Sequence, residues 1–338
     1  MRCPTMGPAA LLCLLALGAT PMAVGGESPA PSTFRQSRDD AWWTGPLLAA
    51  SAATLPQGHF LVEPYLYDSM AYGRYDRNGT RLGTPREHDL GSLTYVLYGL
   101  VDRVSVGLLP RFGFKAPSQG QSSSGIGVGD LGLQGQYRLT QFQEGHWLPT
   151  VSLVVGETLP TGKYDRLDAR ASDGFGAGAH TTTLSMYSQS YFWMRTGRIL
   201  RARLDLSYSR ADRVGLEGVS VYGTPAGFRG HAWPGDSYTA DSAWEYSLTR
   251  NWVLALDAVY EHDASTRIAG GYVVQRGGAP QPVDLVASSG SSDSLAFAPA
   301  IEYNWNGHVG VIFGVRLVAR GRNTSATITP ATAVNLVY

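Results

Sequence analysis

Residues 125–162 read GIGVGDLGLQGQYRLTQFQEGHWLPTVSLVVGETLPTG, and the order of polar and apolar side chains within them decides the fold. Leu131, Leu133, Gly135, Tyr137 and Leu139 fall on one face, and Asp130, Gly132, Gln134, Gln136 and Arg138 on the other. A two-residue period of this kind is that of a strand, apolar on one side and polar on the other. A short polar connection over 140–145 and the amphipathic Trp147 lead into a second extended run of Val, Leu and Thr that reaches Thr158. The pair predicts a long antiparallel hairpin. Strands of water-soluble sheets run to about 5 or 6 residues, whereas these approach the roughly 9–11 of a tilted strand crossing a bilayer. The hairpin therefore reads as membrane-spanning.

Composition agrees. Among 338 residues there are 41 Gly and 18 Tyr, only 16% are charged, and the formal net charge is zero. Without a basic field, nucleic acid is excluded as a partner. Mean hydropathy is −0.11, and beyond the N-terminus no run of about 18 apolar residues argues for a spanning helix. A membrane barrel hides its hydrophobicity in this way, because lipid-facing and lumen-facing residues alternate. Arg2, an apolar stretch over 9–19, and the small residues Ala23 and Gly25 predict a signal peptide over residues 1–25. Both cysteines, Cys3 and Cys13, lie within it, and Leu12 before Cys13 speaks against a lipoprotein signal. A mature chain free of cysteine suits export through an oxidising periplasm.

Residues 26–57 are rich in Pro, Ala and Ser and lack alternation. They are expected to form a periplasmic tail or, alternatively, a partial plug folded back into the lumen with 47–55 as a short helix. From residue 58 onward, short connections at 102–103, 140–145, 195–198, 249–251 and 304–307 take turns with long ones. The long connections are 73–87, 115–125, 161–175, 213–236 and 262–293. Tight periplasmic turns and long extracellular loops are the habit of outer-membrane barrels. The prediction for 58–338 is one all-β, antiparallel transmembrane β-barrel of about twelve strands, its termini on the periplasmic side. Trp147, Trp193, Trp252 and Trp305 stand beside four of the short turns and predict an aromatic girdle.

Later runs repeat the pattern. Leu200, Ala202, Leu204, Leu206 and Tyr208 oppose Arg201, Arg203 and Asp205, and Val311, Phe313 and Val315 oppose Arg316. In a barrel the polar face turns inward. Glu63, Arg111, Asp130, Gln134, Arg138, Arg201, Arg203, Asp205, Glu245, Asp257, Glu261, Glu302 and Arg316 are thus expected to line the lumen. Such residues either filter solutes electrostatically, as charged rings do in pores, or neutralise one another. Val334, Leu336 and Tyr338 alternate up to the last residue and resemble the terminal strand recognised by the bacterial barrel-assembly machinery. That machinery, outer-membrane lipid and a small-molecule solute are the expected partners.

The run GVGDLGLQGQYRL (127–139), followed by LPTGKY (159–164), resembles the signature of the outer-membrane family of transporters assigned to the phenol meta-cleavage degradation pathway. The stretches WTGPLLAASAATLPQGHFLVEPYLY (43–67) and YGLVDRVSVGL (98–108) extend the resemblance. It implies a β-barrel in the outer membrane of a Gram-negative-type bacterium and passage of small hydrophobic or aromatic compounds.

Competing motifs are weak. GETLPTGK (156–163) has phosphate-loop spacing, but Tyr164 stands where Ser or Thr is needed and no helical pattern follows. Seven histidines are scattered without ligand spacing, so no metal and no cofactor is expected. No nucleophile elbow is present. The chain is read as a non-enzymatic channel for passive passage of small solutes. An outer-membrane hydrolase whose Ser, His and acid meet across strands, or a closed structural barrel, are the alternatives. Barrels of about eight strands are filled by side chains and those of about sixteen are open, which puts twelve in between.

Overall fold

The computed structural model describes residues 34–168, 170–276 and 279–338. The expected signal peptide, with Cys3 and Cys13, lies outside the described residues. In chain order the strands are β1 (Phe60–Tyr75), β2 (Arg81–Val101), β3 (Val104–Leu109), β4 (Arg111–Ala116), β5 (Gly127–Val128), β6 (Leu131–Thr140), β7 (Thr150–Leu159), β8 (Thr181–Trp193) and β9 (Ile199–Ala211). They continue as β10 (Val214–Glu217), β11 (Arg229–Trp233), β12 (Ser237–Ser247), β13 (Trp252–Asp263), β14 (Arg267–Arg276), β15 (Ala279–Ser288), β16 (Ser292–Asn304), β17 (Val309–Arg322) and β18 (Thr324–Val337).

Pairing runs β1-β18-β17-β16-β13-β12-β9-β8-β7-β6-β3-β2, and β2 pairs back onto β1. β4 continues β3 beyond Pro110, and β5 precedes β6 across Gly129 and Asp130, so the wall is a closed antiparallel barrel of 12 strands. Closure leaves no free edge, which is what a sheet needs where no water can satisfy its backbone. The hairpin read from 125–162 is β6 against β7, in register from Leu131 opposite Leu159 to Arg138 opposite Ser152, with a bulge before Thr140 pairs with Val151.

Burial inverts the rule for soluble proteins. Leu66, Leu184, Leu204, Leu254 and Phe313 are exposed on the outside, whereas Arg201, Arg203, Asp205, Asp241, Glu245, Asp257 and Glu302 are buried. An apolar outer band belongs in lipid, and the polar face turns inward. Aromatics gather at both rims. Trp252, Tyr303 and Trp305 stack at the end with short turns, and Tyr208 and Tyr238 lie 5.1 Å apart at the other.

Three expectations change. The connection 73–87 is mostly strand, with β1 and β2 paired out to Tyr75 opposite Arg81 and only an Asx turn at Asp76 between them. β17 and β18 are joined through the single residue Asn323, at φ 49°, so long outer loops do not alternate strictly with short turns. The spans 213–236 and 262–293 supply β10, β11, β14 and β15, a separate four-stranded sheet beyond the barrel. It packs Val214, Leu216, Phe228 and Ala232 into a core of its own. Backbone that would otherwise be loop satisfies its hydrogen bonds there as a second ladder.

Candidate functional site

Residues 36–57 do not hang below the barrel but run through its mouth. Gln36 is buried, and its side chain bonds Ser247 Oγ at 2.9 Å and the Ile199 N–H at 3.2 Å. Further along, the strap gives its backbone to the wall. Thr44 N–H and Gly45 N–H donate to Glu302 Oε2 at 2.7 and 3.2 Å. Leu47, Leu48 and Ala49 donate to Asp257 at 3.1, 3.2 and 3.0 Å, and Ala50 donates to Asp205 at 2.7 Å. Pro46 has no N–H to give, so every backbone donor from 44 to 50 ends on one of three lumen carboxylates. Charge-assisted bonds of this kind are the strong ones.

The same bonds explain why 47–55 forms no helix. Its donors from 47 to 50 are committed to the wall, and among residues 34–58 the one helical turn is Arg38–Asp40. The strap then leans on polar side chains of the next strands. Ser152 Oγ donates to Ala52 O at 2.6 Å, Gln136 Nε2 to Ser51 O at 3.0 Å, and Leu55 N–H to Ser105 Oγ at 2.9 Å. Space for it comes from small inward residues. A Cβ on Gly310 would meet Thr44 Oγ1 at 2.1 Å, and one on Gly99 would meet Pro56 O at 2.0 Å. Leu47 packs on Ala298, Ile312, Ala331 and Ala333.

Arginines complete the lumen. Buried Glu245 takes Arg201 Nε at 2.6 Å and Arg203 Nε at 3.1 Å, with a second Arg201 contact beside them. Arg203 also donates to Ala49 O at 2.9 Å, and the Arg201 guanidinium covers the Trp43 ring at 4.5 Å. Arg316 donates to Glu261 at 2.6 Å.

The expected lumen residues thus divide. Arg201, Arg203, Glu245, Glu261 and Arg316 pair with one another, and Asp205, Asp257 and Glu302 hold the strap. Glu63 and Gln134 line a chamber of about 500 Å³ whose floor is strap residues 43–55. Asp130 instead pins an outer loop, taking the N–H groups of Gly162 and Ala177 at 2.9 and 2.7 Å. Arg111 begins β4, and Arg138 lies two residues before the end of β6 on the face of Gln134; neither lines the chamber.

Of the four tryptophans, Trp147, Trp252 and Trp305 are exposed as a girdle requires. Trp193 departs from it. Its parity is that of inward Ser185 and Gln189, its Nε1 donates to Gln36 O at 2.9 Å, and outward Phe192 takes the rim position. Val334 and Tyr338 are exposed, and the last residue exchanges backbone bonds with Phe60 at 3.0 and 2.8 Å, which completes closure.

Sequence reasoning missed Asp241 and the tyrosines of the chamber, Tyr65, Tyr67, Tyr95 and Tyr187. Both were open to a parity argument: Asp241 lies four residues before inward Glu245, and Tyr65 and Tyr67 share the face of Glu63. A second hollow of about 410 Å³, beside His88, Asp89 and Lys115, shares Ser69 with the chamber. A wide hollow of about 1060 Å³ on the outer sheet, beside Arg166, Glu217 and Arg229, stands apart from this path. There a hydrogen bond from Arg166, with its charge and that of Arg229, holds the Glu217 carboxyl below its usual value. At the barrel's outer rim, histidine pairs with carboxylate at His88–Asp68, His180–Glu157 and His262–Asp293.

A scan of protein-family models and a search of curated proteins each find no match. Among solved structures, an outer membrane channel from Pseudomonas putida F1 superposes with a TM-score of 0.66 at 16% identity, covering 86% of this chain and 100% of that one. The translocator domain of the autotransporter NalP from Neisseria meningitidis gives 0.42 at 9% identity, covering 83% and 89%. A mutant TodX monoaromatic hydrocarbon channel gives 0.37 at 12%, covering 90% and 97%. The last two superpositions are too loose to bear on this chain. The first is a likeness of fold, that of an outer-membrane barrel.

Proposed function

We propose that the chain is an outer-membrane channel for passive passage of small solutes, closed at its periplasmic mouth by the strap over residues 36–57 acting as a plug. The observation that carries this reading is the chamber of about 500 Å³ inside the barrel, floored by strap residues 43–55 and neighboured at Ser69 by a second hollow. A hollow of that size holds a small ligand, and a floor held by hydrogen bonds is removable without breaking the wall. The barrel-assembly machinery, met through Val334, Leu336 and Tyr338, and outer-membrane lipid are the proposed partners. Hydrophobic or aromatic solutes come from the resemblance carried by residues 127–139 and 159–164. A preceding signal peptide over residues 1–25 belongs to the same proposal.

Single-channel conductance in planar bilayers tests it, comparing a chain that begins at Gly26 with one that begins at Gln57. Steady conductance after removal of the strap, against a closed or flickering longer chain, is the expected result. Equal conductance in both would reduce the strap to a tail. Silence from both, with heat-modifiable folded barrel on a gel, overturns the channel and favours the closed structural barrel.

A further inference from the structure

We propose that the chamber is a site for an organic cation, a small alkyl- or arylammonium, recognised by tyrosine faces and the Glu63 carboxylate. This rests on the channel reading and names the solute class for it. The argument begins with which charges in the chamber wall are already spent. Three arginines line it, and each is engaged: Arg201 and Arg203 on Glu245, Arg316 on Glu261. Glu63 is the one carboxylate in the lining, and its bond is to a neutral amide, from Asn335 Nδ2 to Oε1 at 3.2 Å. Among the described residues no cation stands at ion-pair distance from Glu63, and only the more distant charge of Arg203 acts on it, so the carboxylate is open to a cation placed beside it.

The neighbouring surface suits the same guest. Tyr65, Tyr67, Tyr95 and Tyr187 are half-buried in the chamber wall, with Tyr65 and Tyr95 edge to face at 6.0 Å. Aromatic faces around a carboxylate attract ammonium groups through the ring quadrupole, and they tolerate the hydrocarbon attached to it. Tyr187 also stands directly across β8 and β9 from Asp205, which in turn faces Asp241 across β9 and β12. Asp205 Oδ1 and Asp241 Oδ1 are buried there without a protein hydrogen-bond partner.

The test is equilibrium binding to the full chain in detergent micelles, by isothermal titration calorimetry, with benzyltrimethylammonium, benzyl alcohol and benzoate. The expected result is saturable binding of the cation, at least tenfold tighter than either of the others. Glu63→Gln is expected to weaken the cation by roughly tenfold or more and leave benzyl alcohol unchanged. Equal affinity across the three compounds overturns the proposal on wild-type protein alone, and an unchanged cation affinity in a folded Glu63→Gln chain overturns the role of Glu63. Conductance is scored separately. A chain that binds the cation but never conducts refutes the channel and keeps the site; one that conducts without this preference refutes the site alone.

Discussion

Two halves of one lumen have been put to opposite uses. The wall of β9, β12, β13 and β16 carries Arg203, Asp205, Glu245, Asp257 and Glu302, all buried, and nearly all bonded to each other or to the strap. Across the barrel, β18, β1 and β2 present Asn335, Glu63, Tyr65, Tyr67 and Tyr95 to open space. Both halves come from the same alternating pattern. What separates them is the strap, whose main-chain donors over 44–50 end on carboxylates of the first wall, while the side chains of the second line the chamber. A polar inward face is therefore not yet a solute path, because main-chain donors of a passing segment consume it as readily as a solute would.

The most severe way to break this comparison is to strip the dry wall of its central acid. Glu245→Ala strands two buried arginines, and we expect a loss of about 3–5 kcal/mol, the usual result of unpairing a buried ion pair, read by urea unfolding in lipid vesicles. An unchanged midpoint would mean that water reaches both guanidinium groups. Asp257→Ala should come next. It removes three acceptor contacts from the strap, at about 3 kcal/mol if each bond to charge nets about 1. Hydrogen exchange at Leu47, Leu48 and Ala49 should then quicken by roughly a hundredfold while the strands stay protected. Unchanged protection would shift the anchor to Leu47 packing on Ile312.

On the open wall, Glu63→Gln should cost under about 1 kcal/mol, since the amide keeps a neutral hydrogen bond to Asn335. A larger loss would show that this wall is also structural. The smallest effect lies outside the membrane. Because Arg166 depresses the Glu217 carboxyl below its ordinary 4.5, this contact is intact above that pH and is lost as pH falls through the lower, folded value. Acidification from pH 6 to pH 3 should loosen β10 without touching the barrel, as NMR of the Glu217 and Arg166 side chains would show.

The barrel was legible because alternation fixes parity, and parity alone assigns Leu254 to lipid and Asp257 to the interior. Twelve strands and the hairpin at 131–159 followed from it. Three things did not. The strap has irregular backbone and binds through main-chain N–H groups, which no side-chain pattern announces, although the small inward residues Gly310, Gly314, Ala331 and Ala333 were a readable sign of something passing close. Trp193 was misplaced because nearness to a turn was weighed above its parity. The outer sheet escapes a parity argument because glycines such as Gly230 and Gly270 interrupt its pattern; their backbones approach so closely that a Cβ on Gly230 would lie 2.3 Å from Ala269 O.

The bonds of the strap also set an order of events. Thr44 finds its partner 258 residues later, at Glu302, and Ala49 finds its own 208 residues on, at Asp257. Segments so distant in sequence meet late, because long-range closure must be complete before it is rewarded. The part of this region that comes first in the chain is therefore among the last to reach its native place. Until then Asp205, Asp257 and Glu302 lack their backbone donors, and the half-closed sheet holds a hydrated acidic groove. A chain caught at that stage would be a trap whose escape rate depends on salt and on divalent cations, which makes refolding kinetics, rather than final stability, the quantity most sensitive to the sequence of residues 44–50.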